Sequence, residues 1–209
     1  MSISNGSTVS DLLVRARSGD RQALDRLFAL CRNYVTIVAQ TQVETWLRAK
    51  FDPSDLVQQT LLEAYRGFDG FRGATEGEWL AWLRRILTRN AVDVARRYCS
   101  TDKRQLRREM SLHKKGDTAS GEFSPEPPDS TQSPSQQLLA RERELLVADA
   151  LASLPPDHRQ VIILRNLQGL PFNEVAERMD RSRPAVQMLW MRAIQSLQGI
   201  LSQGSGRSP

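Results

Sequence analysis

The chain has 209 residues, 40% of them apolar, and a formal net charge of +5, with an isoelectric point near 9.7. That length holds one medium domain or two small ones. The basic balance favours a polyanion partner but fits a plain soluble protein too. Cys31 and Cys99 lie far apart with no clustered histidine nearby, which argues against a disulfide framework or a zinc site and for cysteines buried as small apolar residues.

No apolar run approaches the ~18 residues of a membrane span. Residues Met1 to Val14 lack the charged-then-apolar pattern of a signal peptide. The expected location is the cytoplasm, with no membrane partner.

Taken in chain order, a first helix is predicted over Ser10–Ser18 and a second from Asp20 to Lys50. In the second, Leu24, Leu27, Phe28, Cys31, Tyr34, Val35 and Val38 recur at three- and four-residue steps as a core stripe. A third helix follows Asp52-Pro53-Ser54. Proline suits a first turn, and Asp52 and Asp55 suit the positive end of the helix dipole. It runs to about Tyr65, and Gly67 ends it.

The fourth helix, from about Thr75 to Tyr98, places Trp79, Trp82, Leu83, Ile86, Leu87 and Val94 on one face. Arg85, Arg89 and Arg96 line the opposite side. That ridge is either a solvated surface or a nucleic-acid contact, and charge alone does not decide.

The composition then shifts. Gly116 to Ser135 is rich in Ser, Pro, Gly and Thr, with Phe123 its one large apolar residue. Such a stretch cannot bury enough surface to offset its ordering entropy. Upstream of it, Lys103, Arg104, Arg107, Arg108, Lys114 and Lys115 form a charge run, either solvated or following a nucleic acid. Helical periodicity returns from Leu138 to about Leu201. Val161-Ile162-Ile163-Leu164 could be a short strand by composition, but its flanks read as helix.

The expected fold class is therefore all-α. Two small helical domains, residues 10–98 and 138–201, are joined by a disordered linker over 99–137 and followed by a polar tail, 202–209.

The C-terminal domain contains a helix-turn-helix pattern between Gly169 and Val186. Pro171 opens a short helix, Val175 faces the core, and Ala176 is small where two crossing helices must approach. Met179 closes that helix, and Asp180 takes a turn position that often needs a left-handed backbone. The next helix starts at Ser182 or Arg183 and buries Val186, Leu189, Trp190, Ala193 and Leu197. Helical hairpins without a DNA role share this outline.

Four stretches together resemble one family, the extracytoplasmic-function sigma factors of the sigma-70 type. Asp52-Pro53-Ser54-Asp55-Leu56-Val57-Gln58-Gln59-Thr60 is similar to the family's D-x-x-D-L-V-Q-[DE]-[TV] helix. Trp79 to Asp93 resembles its W-L-x-x-I-x-x-N-x-x-x-D helix. Leu154-Pro155-Pro156 with Arg159 and Val161 to Arg165 looks like the start of the C-terminal sigma domain, and the helix-turn-helix completes the set.

The resemblance implies that Asp55, Leu56, Gln58 and Gln59 face core RNA polymerase, Gln59 standing where the family usually has an acid. It implies that the loop Gly70-Phe71-Arg72-Gly73-Ala74 borders a pocket for a base flipped from the −10 element. Arg85, Arg89, Asn90, Arg96 and Arg97 would line the melted strand.

The helix-turn-helix would read the −35 element. Gln187-Met188-Leu189 departs from the family's Lys-Ser-Arg, so charge moves to Arg181, Arg183 and Arg192. Arg181 and Arg192 are expected on phosphates, Arg183 and Gln187 on base edges, and Met188 on a thymine methyl, with Ser182 beside them.

The implied partners are bacterial core RNA polymerase, promoter DNA and an anti-sigma factor. No cofactor, metal or catalytic residue is expected. Two boxes about 16 base pairs apart lie about 55 Å apart at ~3.4 Å per step. A linker of about 35 residues spans at most ~120 Å and covers about 35 Å as a coil, so it bridges them without dictating the spacing.

The competing reading is a stand-alone helix-turn-helix regulator that does not bind polymerase. An enzyme finds little support: His113 and His158 are the only histidines, and no phosphate loop or paired-carboxylate constellation is present.

Overall fold

The computed structural model describes residues 8–42, 52–110 and 144–205, and all of its regular elements are helical. Side chains beside each start explain where the first helices begin. Thr8 and Asp11 cap helix α1 (Val9–Arg17) reciprocally, Asp11 N–H donating to Thr8 Oγ1 at 3.3 Å and Thr8 N–H to Asp11 Oδ2 at 3.2 Å. Asp20 accepts the Ala23 N–H at 3.0 Å at the head of α2 (Arg21–Gln42), and Arg15 Nη2 donates to it at 2.6 Å.

Asp52 accepts the Ser54 N–H at 2.8 Å ahead of α3 (Pro53–Gly67), with Pro53 in the first turn. A 3₁₀ turn, Phe68–Gly70, and a short loop lead into α4 (Glu76–Met110). The C-terminal bundle holds α5 (Glu144–Ala152), α6 (Pro156–Ile162), a π turn (Ile163–Leu167), α7 (Phe172–Arg178) and α8 (Arg183–Ser205).

Two boundaries differ from expectation. Helix α4 continues past Tyr98 to Met110, because residues 99–110 contain neither Gly nor Pro and the breaker-rich composition starts only at Gly116. Helix α8 likewise takes in residues 202–205 of the expected tail. Residues 43–51, which hold the end of the second predicted helix, lie outside the described residues, as do His113 and 111–137 of the linker, 138–143, and 206–209. The side chain of Cys99 is also outside them.

The strand-like run Val161–Leu164 is helical, entering the π turn, where Gln168 N–H donates to Ile163 O at 2.9 Å. All four of its side chains are buried. An unbroken apolar run marks burial on every side as well as it marks a strand.

The N-terminal core is organised on Trp79. Its ring is fully buried and meets Phe28, Phe68 and Phe71 edge-on, at centroid separations of 5.4, 5.9 and 5.2 Å, with Trp82 tilted beside it at 5.2 Å. Such geometries add about 0.5–1.5 kcal/mol per pair beyond area burial. The indole N–H donates to Cys31 Sγ at 2.9 Å. Burial pushes the Cys31 thiol up to about 12, so it remains a neutral acceptor.

The two bundles touch through α2. Asn33 Nδ2 donates to Asp149 Oδ1 at 2.8 Å, and Gln168 Nε2 reaches the carbonyl oxygens of Gln40 and Thr41 at 3.2 and 3.3 Å. Arg84 adds a bridge from α4, donating to Tyr34 Oη at 3.0 Å and to Glu144 Oε2 at 2.8 Å.

Two outcomes follow from the core and the caps. Trp79→Ala is expected to cost about 3–5 kcal/mol of stability, read from urea unfolding. The Asp20 carboxyl lies below its ordinary range through the Ala23 amide and then Arg15, and the Asp52 carboxyl through the Ser54 amide. Their folded pKa values are depressed, so their contribution is complete above about pH 4 and lost as pH falls through the folded values. Melting temperature between pH 6 and 3 should therefore fall less steeply in Asp52→Asn, which keeps a capping oxygen without the titration.

Candidate nucleic-acid and partner interface

Helix α3 presents one exposed polar face. Asp55, Gln58 and Gln59 are all exposed on it, and Asp55 has no ion pair among the described residues. Leu62 and Tyr65, at 51% and 45% exposure, extend the same side. The sequence reading missed both, although their spacing from Gln58 and Gln59 puts them in line. Leu56 is completely buried. It anchors α3 to the core and does not share that outward face.

The loop between the 3₁₀ turn and α4 is held at both polar edges. Glu78 Oε2 accepts the N–H groups of Ala74 at 2.8 Å and Thr75 at 3.0 Å, and Thr75 Oγ1 donates to it at 2.9 Å. These bonds hold the Glu78 carboxyl below its ordinary range, the Ala74 and Thr75 amides contributing most. On the other edge, Arg17 from α1 donates to the carbonyl oxygens of Phe71 and Gly73.

Phe71 turns inward, its ring 5.0 Å from that of Trp82, and only 7% of it is exposed. Arg72 is exposed at the loop's outer edge. A ligand reaching Phe71 must therefore enter the loop and not merely touch its rim. The Glu78 contact has a local signal that the sequence analysis did not use, the Thr75-x-x-Glu78 capping pattern; the Arg17 contact, 54 residues away in the chain, carried none.

Arg85, Thr88, Arg89, Val92, Asp93 and Arg96 share one side of α4. Arg85 and Arg96 are exposed and Arg89 pairs with Glu63 of α3. Arg97 is exposed as well. Asn90 lies on the inner side, 3% exposed, with its Nδ2 donating to Thr60 Oγ1 at 3.4 Å. The expected set thus divides into an outer row of arginines and two inner groups, Phe71 and Asn90.

In the C-terminal bundle the turn between α7 and α8 has the expected form. Asp180 adopts φ 50, and Arg181 N–H closes the turn on Ala176 O at 3.0 Å. Ser182 is the capping residue, its Oγ accepting the Ala185 N–H at 3.4 Å, so α8 starts at Arg183. Val175, Val186 and Ala193 are fully buried and Ala176 nearly so, which fixes the crossing.

Two further contacts set the hairpin angle: Trp190 Nε1 donates to Asn166 Oδ1 at 2.9 Å, and its ring meets Phe172 edge-on at 5.7 Å. Arg181, Arg183, Met188 and Arg192 are exposed near the start of α8 and Gln187 is half-buried. Arg181 is engaged by Asp157 at 2.5 Å in an exposed pair.

Arg159, noticed only as part of a motif, donates to the carbonyl oxygens of Leu151, Ala152 and Leu154 at 3.1, 2.9 and 3.0 Å, closing the end of α5. His158, expected in or near a loop, lies on α6. No metal-ligating cluster occurs among the described residues.

The hairpin geometry defines a helix-turn-helix in the second of two helical bundles. Residues 150–199 match the family model for region 4 of sigma-70. The chain is 31% identical over 169 residues to the extracytoplasmic-function RNA polymerase sigma-E factor of Haemophilus influenzae, covering 81% of this chain and 82% of that one. The Escherichia coli K12 sigma-E factor gives the same identity, over 81% of each chain. Among solved structures, CnrH in complex with the cytosolic domain of CnrY is similar, at 23% identity and a TM-score of 0.33, over 93% of this chain and 97% of that chain. The chain belongs to the extracytoplasmic-function family of RNA polymerase sigma factors.

The inner polar pair gives a measurable outcome. Asn90→Leu strands the Thr60 hydroxyl in the core and is expected to cost about 1–3 kcal/mol. Arg85→Ala, on the exposed ridge, should leave stability within about 0.5 kcal/mol, both read by urea unfolding.

Proposed function

We propose that this chain directs bacterial core RNA polymerase to its promoters and assists strand opening, with its site residues divided among three surfaces. The observation that carries the reading is the 31% identity to sigma-E factors, which spans 81% of the chain. The outward face of α3, with Asp55, Gln58 and Gln59, docks on the polymerase, and Leu62 and Tyr65 widen that contact.

The loop 70–74 and the arginine side of α4 receive the opened −10 strand. Arg85, Arg89, Arg96 and Arg97 meet its phosphates, and Arg72 and Phe71 border the pocket for the displaced base; Asn90, inside the bundle, keeps its bond to Thr60 and holds that stretch of α4 against α3. Arginine at a phosphate supplies affinity without sequence information, and the pocket supplies the discrimination.

The start of α8 enters the major groove at the −35 element. Arg181 and Arg192 hold phosphates, Ser182 sits beside them, and Arg183, Gln187 and Met188 reach base edges. The chain does no chemistry of its own: it supplies recognition and opening, and the polymerase makes the bonds. It acts in the cytoplasm, an anti-sigma factor completes the set of partners, and the residues between the bundles act as the tether between the two DNA-reading parts.

Asp55→Arg combined with Gln58→Ala tests the docking surface, since both residues are exposed and the pair should leave helicity unchanged. On a sizing column the wild type should co-elute with core polymerase, and the variant should bind at least about tenfold more weakly. If the wild type fails to co-elute but still shifts duplex DNA, the chain acts instead as a stand-alone regulator.

A further inference from the structure

We propose that Arg17, outside every surface assigned above, is a positioning residue for base selection at the −10 element. It holds loop 71–73 in one shape before DNA arrives. This rests on the promoter reading of that loop given under Proposed function.

The geometry is specific. Arg17 closes α1, whose buried side is Val9, Leu12, Leu13 and Ala16; Arg17 is exposed and takes no part in that packing. One terminal guanidinium nitrogen donates to Phe71 O at 3.3 Å and to Gly73 O. The guanidinium carbon lies 5.6 Å from the centre of the Phe71 ring. A single side chain thus fixes two loop carbonyls and covers the aromatic ring between them. Lysine has donors enough for both carbonyls but lacks the planar group that lies over the ring, so it reproduces only part of the contact.

The loop is closely packed in this conformation. A Cβ added to Gly73 would overlap the Phe71 ring and Glu78 Cβ, so backbone and ring are already in close contact there. Glu78 fixes the following amides from the opposite side. With Arg17 removed, the carbonyl edge loses its described side-chain anchor. A pocket that must order its loop while taking up a base discriminates less well than one already formed.

Arg15 is the internal control. It lies on the same helix two residues earlier and pairs with Asp20 at 2.6 Å, with no described contact to the loop.

The experiment uses holoenzyme assembled from the full chain and core polymerase. The probe is a pool of single-stranded DNA randomised over one −10-sized window, and the bound fraction is sequenced. Wild type should select a base at the loop-read position. Arg17→Ala should flatten that preference about tenfold, the scale set by losing charge-assisted hydrogen bonds. Core binding and the preferences at other positions should stay at wild-type values.

Arg17→Lys should restore part of the preference, and Arg15→Ala should match wild type. A profile for Arg17→Ala within about twofold of wild type at every position overturns the proposal. So does loss of core binding in Arg17→Ala, which would mean that Arg17 supports the whole bundle. If wild type itself selects no base, the promoter reading of the loop is wrong and this inference goes with it; that result differs from a wild-type preference that survives the substitution.

Discussion

The N-terminal bundle is built around the demand of one side chain. The Trp79 indole is too large to bury without partners on every side and carries an N–H that must find an acceptor. Phe28 comes from α2, Phe68 from the 3₁₀ turn, Phe71 from the loop and Trp82 from the next turn of α4. Cys31 supplies the acceptor. Helix, turn and loop are thereby tied to one ring, and the position of the loop leading into α4 follows from how the core is packed. The cysteine is used here as a weak neutral acceptor, and its burial takes it away from redox chemistry.

The surface shows a second constraint, in how the arginines are distributed. A formal charge of +5 suggests a general attraction to nucleic acid, yet many guanidinium groups are already occupied within the protein. Arg17, Arg84, Arg159 and Arg165 donate to carbonyl or hydroxyl oxygens, and Arg89 and Arg181 pair with carboxylates. Arg85, Arg96, Arg183 and Arg192 are exposed, with no ion pair among the described residues. Where an exposed pair exists, its net worth is small because water and salt screen it. The exposed Arg181–Asp157 pair can open at little cost, so such pairs hold side chains in place only loosely.

Periodicity carried much of the fold, because burial on one face is a local property of a helix. The stripe on α2, the aromatic face of α4, the start of α3 at Asp52-Pro53, and the left-handed turn at Asp180 were all readable. The end of α4 was not, since charge-rich residues 99–110 look like linker by composition although none of them breaks a helix. The α3 and α8 surface residues were legible as motifs, but motif membership does not say which way a side chain points. Leu56, Phe71 and Asn90 are inward members of otherwise outward sets. The contacts of Arg17 and Arg84 were illegible because they join residues 50 or more positions apart, and no pattern along the chain marks such pairs.

The loop leading into α4 has a consequence for how such a protein can change. Its shape is held through main-chain atoms: two carbonyl oxygens facing Arg17, and two amides facing Glu78. Main-chain atoms are the same whatever residue occupies a position. Arg72 and Ala74 stand exposed on this frame, and exchanging either leaves the bonds that shape the loop intact. The frame therefore separates the atoms that shape the loop from the two side chains displayed on it. Arg72 and Ala74 can each be exchanged, with proline barred at position 74 because its amide is needed, and the bonds of the loop persist at each step.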